Sequence, residues 1–348
     1  MTAETAVQLT DARLRELVVR ILCAAGADRE AADTVAASLV GSEIRGVHSH
    51  GVIRVPDYVA AIRNGTIAPA ARPRIASDRG ATIALEGCGA FGQVAAGELV
   101  TAVAAGATAH GVCLGTLRGV AHVGRLGEWV ERLAVEGHIG LAWANCGDPG
   151  GNVAPFGGGG ALLGTNPLAY ALPAGTRPPI VADFSTSIVA EGKVRHFKHA
   201  GMPLPDGWIV DSAGRPSNDP DALYDGGALL PMGGHKGYAL ALLVEVLGGV
   251  LAGAGCASLG EAPGNGVVLL AIDPVSSPLA GGFGERVAAI AAAAAGVPAA
   301  QDGAPVVVPG DPERAAAARA QQDGLELPVG TWQGIVAVAD SLGVDLEI

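Results

Sequence analysis

Residues 81–119 read ATIALEGCGAFGQVAAGELVTAVAAGATAHGVCLGTLRG and contain the clearest fold signal in the chain. Apolar residues cluster at 81–86 and 112–117, which predicts two strands. The alanine-rich segment at 93–111 lies between them and predicts a helix. A strand–helix–strand order of this kind indicates an α/β layered fold.

The turn after the first strand, GCGAFG at 87–92, matches the GxGxxG pattern of a dinucleotide-binding turn. Such a site also needs an acidic residue for the ribose at the end of the next strand. That strand ends Thr116-Leu117-Arg118 instead, and chance matches are expected in a chain with 53 glycines. A tight strand-to-helix turn is the favoured interpretation, and a Rossmann-type site is the alternative.

Outside this stretch, the sequence predicts helical regions near both ends of the chain and more alternating strands and helices between them. Two helices are predicted within 10–45, with Thr10 and Asp28 as their caps, and a third at 54–64. Long loops are predicted at 146–167 and 196–234, and loops of this length usually serve function. The remaining predictions are strands at 139–144, 168–172, 180–182 and 266–272, helices at 127–137, 237–257 and 284–296, and a C-terminal helix pair that includes 315–322.

The composition is that of a compact globular protein and excludes several classes of function. Hydrophobic residues make up 49% and charged residues 16%, so the chain can bury a large core. The net charge of −12 argues against a nucleic-acid partner, because nucleic-acid binders carry basic stripes. Five cysteines without a CxxC pair indicate reduced thiols, and the polar first residues lack a signal peptide, so a cytoplasmic protein is predicted.

The apolar segment 237–257 is long enough to span a membrane. Glu245 and four glycines interrupt it, and no aromatic residues flank it as they do in membrane spans. A buried helix is therefore predicted, and no membrane partner.

The segment His48-Ser49-His50-Gly51, followed by Arg54, carries the first candidate chemistry. A guanidinium can hold a carboxylate through two hydrogen bonds, and an imidazole can exchange a proton near neutral pH. A surface histidine pair with a solvated arginine is the alternative. A zinc site is not predicted, because no nearby motif supplies a third ligand.

Other polar residues follow predicted strands or begin helices, where α/β proteins place ligands. His122 and Asp183 each lie at or just after a strand, and Thr165 lies in a glycine-rich segment whose backbone can approach a ligand. Lys236 begins the apolar helix, where a lysine makes sense beside a bound anion. Each of these has a structural alternative: a surface loop, a connector, a helix cap or a solvated lysine.

Taken together, these segments resemble the malate/L-lactate dehydrogenase family, whose members lack a Rossmann dinucleotide-binding fold. Its relatives include sulfolactate, ureidoglycolate and diketogulonate oxidoreductases and the cyclic-imine (piperideine/pyrroline-2-carboxylate) reductases. No single motif is specific for this family, whereas the occurrence of so many of them in the same order is specific. The motifs are Ser49-His50-Gly51 with Arg54 and Tyr58, 89–93, His122-Val123-Gly124, 154–158, 163–167, 183–187, Gly192-Lys193, 201–205 and Lys236-Gly237-Tyr238.

The resemblance implies a three-layer α/β/α fold with a mixed sheet, an N-terminal helical region and a homodimer. Residues 1–75 would form that region, carry the catalytic histidine and pack with the C-terminal segment. Residues 76–285 would form the α/β domain that binds NAD(P) and substrate, and 286–348 the C-terminal helices. The enzyme would interconvert a small 2-oxo acid and its 2-hydroxy acid, malate-like or lactate-like, with NAD or NADP as cofactor.

The resemblance also implies roles for individual residues. His50, Ser49 and His122 would be catalytic, and Arg54, Thr165 and Tyr58 would bind the carboxylate substrate. The cofactor would contact His122, Gly124, Asp183, Phe184, Ser185, Lys193, Lys236, Pro309, Gly310 and Asp311.

Some positions depart from the family pattern and divide the predicted substrate class. The family often has Asn or Ser within 119–121, where this chain has Gly-Val-Ala. Lys193 and the segment 124–127 are similar to the hydroxyacid branch, whereas 233–237 is similar to the cyclic-imine branch. A 2-hydroxyacid dehydrogenase is the main prediction and a cyclic-imine reductase the alternative.

Overall fold

The computed structural model describes residues 7–146, 149–261, 264–277, 279, 281–300 and 303–346. Its α-helices are α1 Asp11–Ala24, α2 Arg29–Ile44, α3 Val55–Arg63, α4 Gly92–His110, α5 Leu126–Val135, α6 Glu191–His199, α7 Pro220–Tyr224, α8 His235–Val244, α9 Phe283–Ala295, α10 Asp311–Asp323 and α11 Val329–Ser341. Its strands are β1 Val7–Leu9, β2 Arg74–Asp78, β3 Thr82–Glu86, β4 Val112–Arg118, β5 Ile139–Asn145, β6 Leu168–Ala174, β7 Arg177–Phe184, β8 Ile209–Val210, β9 Pro216–Ser217, β10 Ala228–Leu229, β11 Gly266–Ile272 and β12 Leu325–Leu327.

A seven-stranded sheet in the order β2-β3-β4-β11-β5-β6-β7 forms the centre of the described residues. β3 and β4 pair in parallel, and the other neighbouring strands pair antiparallel, so the predicted mixed sheet is confirmed. α4 joins the two parallel strands and packs closely on them. A Cβ at Gly115 of β4 would lie 2.4 Å from the Val103 side chain of α4, so only glycine allows this approach.

Helices cover both faces of the sheet, which confirms the three-layer fold. Ala169 and Ala171 of β6 belong to the hydrophobic cluster that contains α4 and α5. Leu172 of the same strand packs with Ile180 against α9 in a separate cluster. Because neighbouring side chains of a strand point to opposite faces, α5 and α9 lie on opposite sides of the sheet.

A second large hydrophobic cluster joins α1, α2 and α3 to α11 and to the small β1–β12 pair. The two predicted helix caps are confirmed at the start of this region. Thr10 Oγ1 accepts from Arg13 N at 3.2 Å, and Asp28 Oδ1 accepts from Ala31 N at 2.9 Å. The N-terminal helices therefore pack with the C-terminal end of the chain.

The prediction of a long loop at 196–234 is wrong. This segment holds the end of α6, the helix α7 and a three-stranded sheet in the order β10-β8-β9. Its strands are two residues long, too short to produce a recognisable alternation of apolar and polar residues. The edge strand β2 was likewise not predicted, because its residues are all exposed and lack an apolar face.

The apolar segment at 237–257 forms α8 and a continuing π-helical segment, Glu245–Leu251. The prediction of a buried helix is wrong for one face, where Leu243, Val246 and Val250 are exposed. None of the helices in the described parts of the chain is long and apolar enough to cross a membrane. Glu245 is buried there and accepts hydrogen bonds from Asn166 Nδ2 at 2.9 Å and Ser258 Oγ at 2.9 Å. The interrupting carboxylate thus ties the helix to two loops.

The GxGxxG segment at 87–92 is a tight turn packed against the chain that follows β4. Gly87 N donates to Arg118 O at 2.8 Å, and Gly89 N donates to Gly119 O at 2.9 Å. A Cβ at Gly92 would lie 2.3 Å from the carbonyl oxygen of His122. The glycines therefore bring the start of α4 against the loop that carries His122.

Candidate active site

The loop that carries His50 lies between α2 and α3 and consists of two 3-10 turns, His48–His50 and Val52–Arg54. The buried carboxylate of Glu43 holds this loop, since it bonds to His48 Nδ1 and accepts from Val52 N at 3.1 Å. A Cβ at Gly51 would lie 1.9 Å from a Glu43 oxygen, so the close approach requires glycine. The position of His50 is therefore set by a side chain seven residues earlier.

The loop that carries His122 lies between β4 and α5 and is also held from several sides. Val123 N donates to Asn265 Oδ1 at 3.2 Å, and Val123 O accepts from Trp129 Nε1 at 3.1 Å. Together with the close contact at Gly92, these bonds bring the two histidine rings together, with their centroids 5.1 Å apart.

A cavity of about 230 Å³ opens beside the two rings. It brings together many of the residues predicted from the sequence, which come from loops far apart in the chain. The predicted residues that line it are Ser49, His50, His122, Gly124, Thr165, Asp183, Phe184, Ser185 and Gly310.

Both histidines are uncharged at neutral pH. Burial, with the positive charges of Arg54 and Arg125, lowers the pKa of His50 from 6.5 to about 4. Burial, with His50 and Arg54, lowers the pKa of His122 to about 3. Ser49 Oγ lies 2.9 Å from His50 Nδ1, and a hydroxyl can either donate to that nitrogen or accept from it. His50 can therefore carry its hydrogen on either nitrogen.

Arg54 and Tyr58 do not line this cavity. Arg54 lines a neighbouring open cavity of about 910 Å³ that shares His122 and Asn265 with the first. Its Nε donates to Ser49 O at 2.8 Å, and its Nη1 lies 3.2 Å from Asp57. Tyr58 is buried behind His122, and its hydroxyl contacts His122 Nδ1 at 2.7 Å.

Four other predicted cofactor contacts also lie outside the cavity lining, namely Lys193, Lys236, Pro309 and Asp311. Both lysines are exposed, on α6 and at the start of α8. Asp311 pairs with Arg177 at 3.2 Å and with Arg314, and these hydrogen bonds and charges, against the opposing effect of burial, hold the pKa of its carboxyl below the usual range. Its position suits the start of α10, where a negative charge is favourable.

Asp183 is the second-last residue of β7 and lines the cavity. Its carboxylate accepts from Gly127 N at 2.6 Å, which satisfies a free backbone N–H at the start of α5. The surrounding protein raises the pKa of this carboxyl, and the bond from Gly127 opposes that effect. The predicted helix-cap alternative and the predicted ligand role therefore involve the same side chain.

Several cavity residues were missed by sequence reasoning. They are Arg45, Arg125, Glu131, Cys146, Asn265, Glu313 and Arg314. The arginines and glutamates lie on helices or at helix ends and have the ordinary sequence pattern of solvated charges. Their one sequence signal is that Arg125 directly follows the His122-Val123-Gly124 motif.

The donors at this cavity fit a nicotinamide dinucleotide. Arg45, Arg125 and Arg314 bring three guanidinium groups to it. Arg125 is 5% exposed, pairs with Glu131 at 2.9 Å, and keeps an Nε without a partner among the described residues. An unpartnered buried donor beside a cavity suits an anionic group such as a pyrophosphate. Among those same residues, no cluster suited to a metal ion is found.

Comparison with known proteins identifies the family of this chain. A family model described as malate/L-lactate dehydrogenase matches residues 9–336. An L-lactate dehydrogenase from Cupriavidus necator is 40% identical over 253 residues, 72% of each chain. A (2R)-3-sulfolactate dehydrogenase (NADP(+)) from Chromohalobacter salexigens is 37% identical over 333 residues, 93% of this chain and 96% of that protein.

The same fold occurs in a solved relative with a different named substrate. The crystal structure of Δ1-piperideine-2-carboxylate reductase from Pseudomonas syringae superimposes with a TM-score of 0.85 at 31% identity and covers 96% of this chain and all of that one. The matched family model spans both histidine loops and the strands and helices that form the cavity. The chain is an oxidoreductase and belongs to the malate/L-lactate dehydrogenase family.

Proposed function

We propose that this protein interconverts a small 2-oxo acid and its 2-hydroxy acid with NAD or NADP as cofactor. The observation that carries the proposal is the pair of uncharged histidines, His50 and His122, at a cavity whose lining includes three arginines and three acidic residues. The relatives named as lactate and sulfolactate dehydrogenases support the substrate class.

His50 is the proposed acid and base. An imidazole whose pKa lies well below 7 is free to take a proton from a substrate hydroxyl, and Ser49 can stabilise either tautomer of the neutral ring. The nicotinamide supplies or accepts the hydride when bound. Arg54 is proposed to hold the substrate carboxylate from the neighbouring cavity, beside His122. Thr165 lines the wall of the first cavity and is proposed to contact the substrate.

The proposed cofactor contacts are the cavity residues Gly124, Asp183, Phe184, Ser185 and Gly310, together with Arg125 and Arg314. Lys193, Lys236, Pro309 and Asp311 stay proposals that the family resemblance supports. One relative is named for NADP(+), while the charges at this cavity favour neither NAD nor NADP.

A substrate panel tests the proposal. Purified protein is mixed with NADH or NADPH and with pyruvate, oxaloacetate, a ketopantoate-like acid or piperideine-2-carboxylate, and loss of reduced cofactor is followed by absorbance. We expect turnover with at least one 2-oxo acid. We also expect that His50→Ala lowers kcat by about 10²-fold or more, because general acid–base catalysis contributes about 10²–10⁴-fold.

His110→Ala is the matched control, since His110 is exposed and lies outside the cavity lining. Cofactor binding by His50→Ala, measured by quenching of NAD(P)H fluorescence, should match wild type. Turnover of the 2-oxo acids by His50→Ala near the wild-type rate would exclude His50 as the acid and base.

Cyclic-imine reduction is a second candidate function. The solved piperideine-2-carboxylate reductase supports it, and so does the likeness of residues 233–237 to that branch. The same donor would then protonate a nitrogen in place of an oxygen. Turnover of piperideine-2-carboxylate alone in the panel would favour this activity over the main proposal.

The organisation of the protein is also proposed. We propose a homodimer in the cytoplasm, divided into residues 1–75, 76–285 and 286–348. An exposed apolar stripe on α8 and the π-helical segment after it supports the proposed dimer. Five free cysteines suit a reducing compartment such as the cytoplasm. The cluster that joins α1–α3 to α11 supports the packing of the first part with the last.

A further inference from the structure

Two buried side chains and the half-buried His122 form a hydrogen-bonded chain at the edge of the cavity, which we call the Gln93–Tyr58–His122 chain. Gln93 Nε2 donates to the Tyr58 hydroxyl at 2.6 Å, and that hydroxyl lies 2.7 Å from His122 Nδ1. Gln93 is 0% exposed and Tyr58 is 3% exposed. Water therefore does not compete for the bond between Gln93 and Tyr58, and these two groups must satisfy each other.

The direction of this chain follows from its first member. The structure places the amide nitrogen of Gln93 against Tyr58, and in this orientation the oxygen of Tyr58 accepts from Gln93 and its own hydrogen points to His122. Burial raises the pKa of Tyr58, so the hydroxyl keeps that hydrogen. His122 Nδ1 must then be the acceptor, and in a neutral imidazole the hydrogen is on the other nitrogen, Nε2.

The chain also ends without a route for a proton. Gln93 Oε1 is buried and has no partner among the described residues, and an amide does not titrate. The contrast with His50 is direct, because the exposed hydroxyl of Ser49 can rotate to donate to its histidine or accept from it. The hydrogen-bond partner of His50 can act as donor or acceptor, whereas the partner of His122 can only donate to it.

We propose that Gln93 and Tyr58 are positioning residues that hold His122 in the Nε2–H tautomer, so that His122 offers the bound acid a permanent hydrogen-bond donor while His50 moves the proton. Tyr58 then acts through His122 and does not contact the substrate. This assignment of roles rests on the proposed function, whereas the tautomer itself does not. A permanent donor at this wall suits an acceptor oxygen of a 2-oxo or 2-hydroxy acid.

The tautomer is measured directly by NMR of protein labelled with ¹⁵N in histidine, recorded near pH 7 without substrate. The signal of His122 is assigned by its loss in His122→Ala. We expect a protonated Nε2 and an unprotonated Nδ1 in the wild type. An Nδ1–H tautomer, or a ring protonated on both nitrogens, would overturn the proposal, and the measurement needs no turnover.

Two variants test the positioning role. Tyr58→Phe removes the hydroxyl that donates to Nδ1 of His122, and we expect a mixture of tautomers with about a 10-fold lower kcat/KM for the acid and unchanged affinity for NAD(P)H. Gln93→Glu places a carboxylate that can only accept when ionised, which reverses the chain. We expect that variant to show the Nδ1–H tautomer and to regain activity as pH falls and the introduced carboxyl is protonated.

Tyr170→Phe is the matched control, because Tyr170 lies on β6 outside the cavity lining and should leave both tautomer and kinetics unchanged. A wild-type tautomer and kcat/KM in Tyr58→Phe would contradict the positioning role even if Gln93→Glu fails to fold. A protein without 2-oxo acid activity that still shows the Nε2–H tautomer would remove the proposed function and leave the hydrogen-bond assignment intact.

Discussion

His50 and His122 have similar surroundings and different partners. Both are largely enclosed by protein, both lie near Arg54, and the pKa of each is lowered well below 6.5. Ser49 contacts one ring and Tyr58 contacts the other. The partner, and not the burial, therefore separates a histidine that can change its tautomer from one that cannot.

The lowered pKa of His50 predicts the pH dependence of the reaction. A base must be unprotonated, and a pKa of about 4 leaves His50 unprotonated throughout the neutral range. We expect kcat/KM for oxidation of the 2-hydroxy acid to stay nearly constant from pH 8 to about pH 5 and to fall below that, since kcat/KM reports the pKa of the free enzyme. Reduction, which needs the protonated ring, should become faster as pH falls.

Initial rates from about pH 4 to about pH 8 in both directions provide the check, with His110→Ala as control. A fall in the oxidation rate with a midpoint near pH 6.5 would show a histidine with its ordinary pKa and contradict the burial argument.

Among the secondary-structure elements, α4 has a role beyond covering the sheet. Its first residue, Gly92, lies against the backbone of His122, and Gln93 on the same turn donates to Tyr58. The start of this helix therefore sets both the position of His122 and the direction of its hydrogen bond. The last glycine of the GxGxxG pattern acts here in packing, as expected for the tight-turn interpretation.

The same glycine-to-alanine substitution at two positions of α4 distinguishes the effect of packing from the effect of helix propensity. Gly92→Ala places a Cβ 2.3 Å from the carbonyl oxygen of His122, which is backbone and cannot give way easily. We expect a loss of about 1–3 kcal/mol in the free energy of unfolding, as for overpacked sites, and a lower kcat/KM. Gly97→Ala meets only the flexible end of Arg132, at 3.3 Å, and should gain up to about 1 kcal/mol from helix propensity.

Urea denaturation of both variants measures the two free energies of unfolding. Equal values for Gly92→Ala and Gly97→Ala would mean that the chain around His122 yields without cost, and that its position is not set by this contact.

At the scale of the whole molecule, an apolar stripe on α8 and the π-helical segment that follows it is exposed within the described residues. Its residues recur at helical spacing and are 39–63% exposed, namely Leu242, Leu243, Val246, Val250 and Leu251. Exposed apolar residues that share one face of a helix are a typical feature of interaction sites. This stripe supports the proposed homodimer.

Light scattering coupled to size-exclusion chromatography tests the dimer. We expect a mass of about 69 kDa, twice the 34.4 kDa of one chain. Val250→Lys should lower it toward the monomer, because an unpaired charge at a buried interface is costly. Val135→Lys, at a valine that is 73% exposed outside the stripe, is the control. A wild-type mass of one chain, or an unchanged mass in Val250→Lys, would contradict the interface.

Much of the fold is predictable because its signals are local. Thr10 and Asp28 cap helices through bonds to residues three positions later, and β3, α4 and β4 follow one another with clear periodicity. The segment 196–234 was not predictable, because its two-residue strands carry almost no periodic signal. The edge strand β2 was also not predictable, because all its residues are exposed and no apolar face marks it in the sequence.

The cavity likewise contains some residues that the sequence predicts and others that it does not. Motif residues such as His50, His122, Thr165 and Asp183 could be named in advance because polar residues beside glycines at the ends of strands are unusual and ordered along the chain. Arg45, Arg314 and Glu131 could not, since they are ordinary charged residues of helices until the fold turns them toward one cavity. Which residue touches which also required the folded chain.

The amino-acid sequence alone was sufficient for the α/β class, the family and several of the residues that line the cavity, because these depend on residue type, spacing and order. Only the folded chain could show that Tyr58 lies behind His122, that Gln93 orients it, and that the GxGxxG turn packs against that loop. Gln93 and Tyr58 are 35 positions apart, and Tyr58 and His122 are 64 apart. Contacts across such distances depend on how helices and strands pack in three dimensions, and no local pattern of residues encodes them.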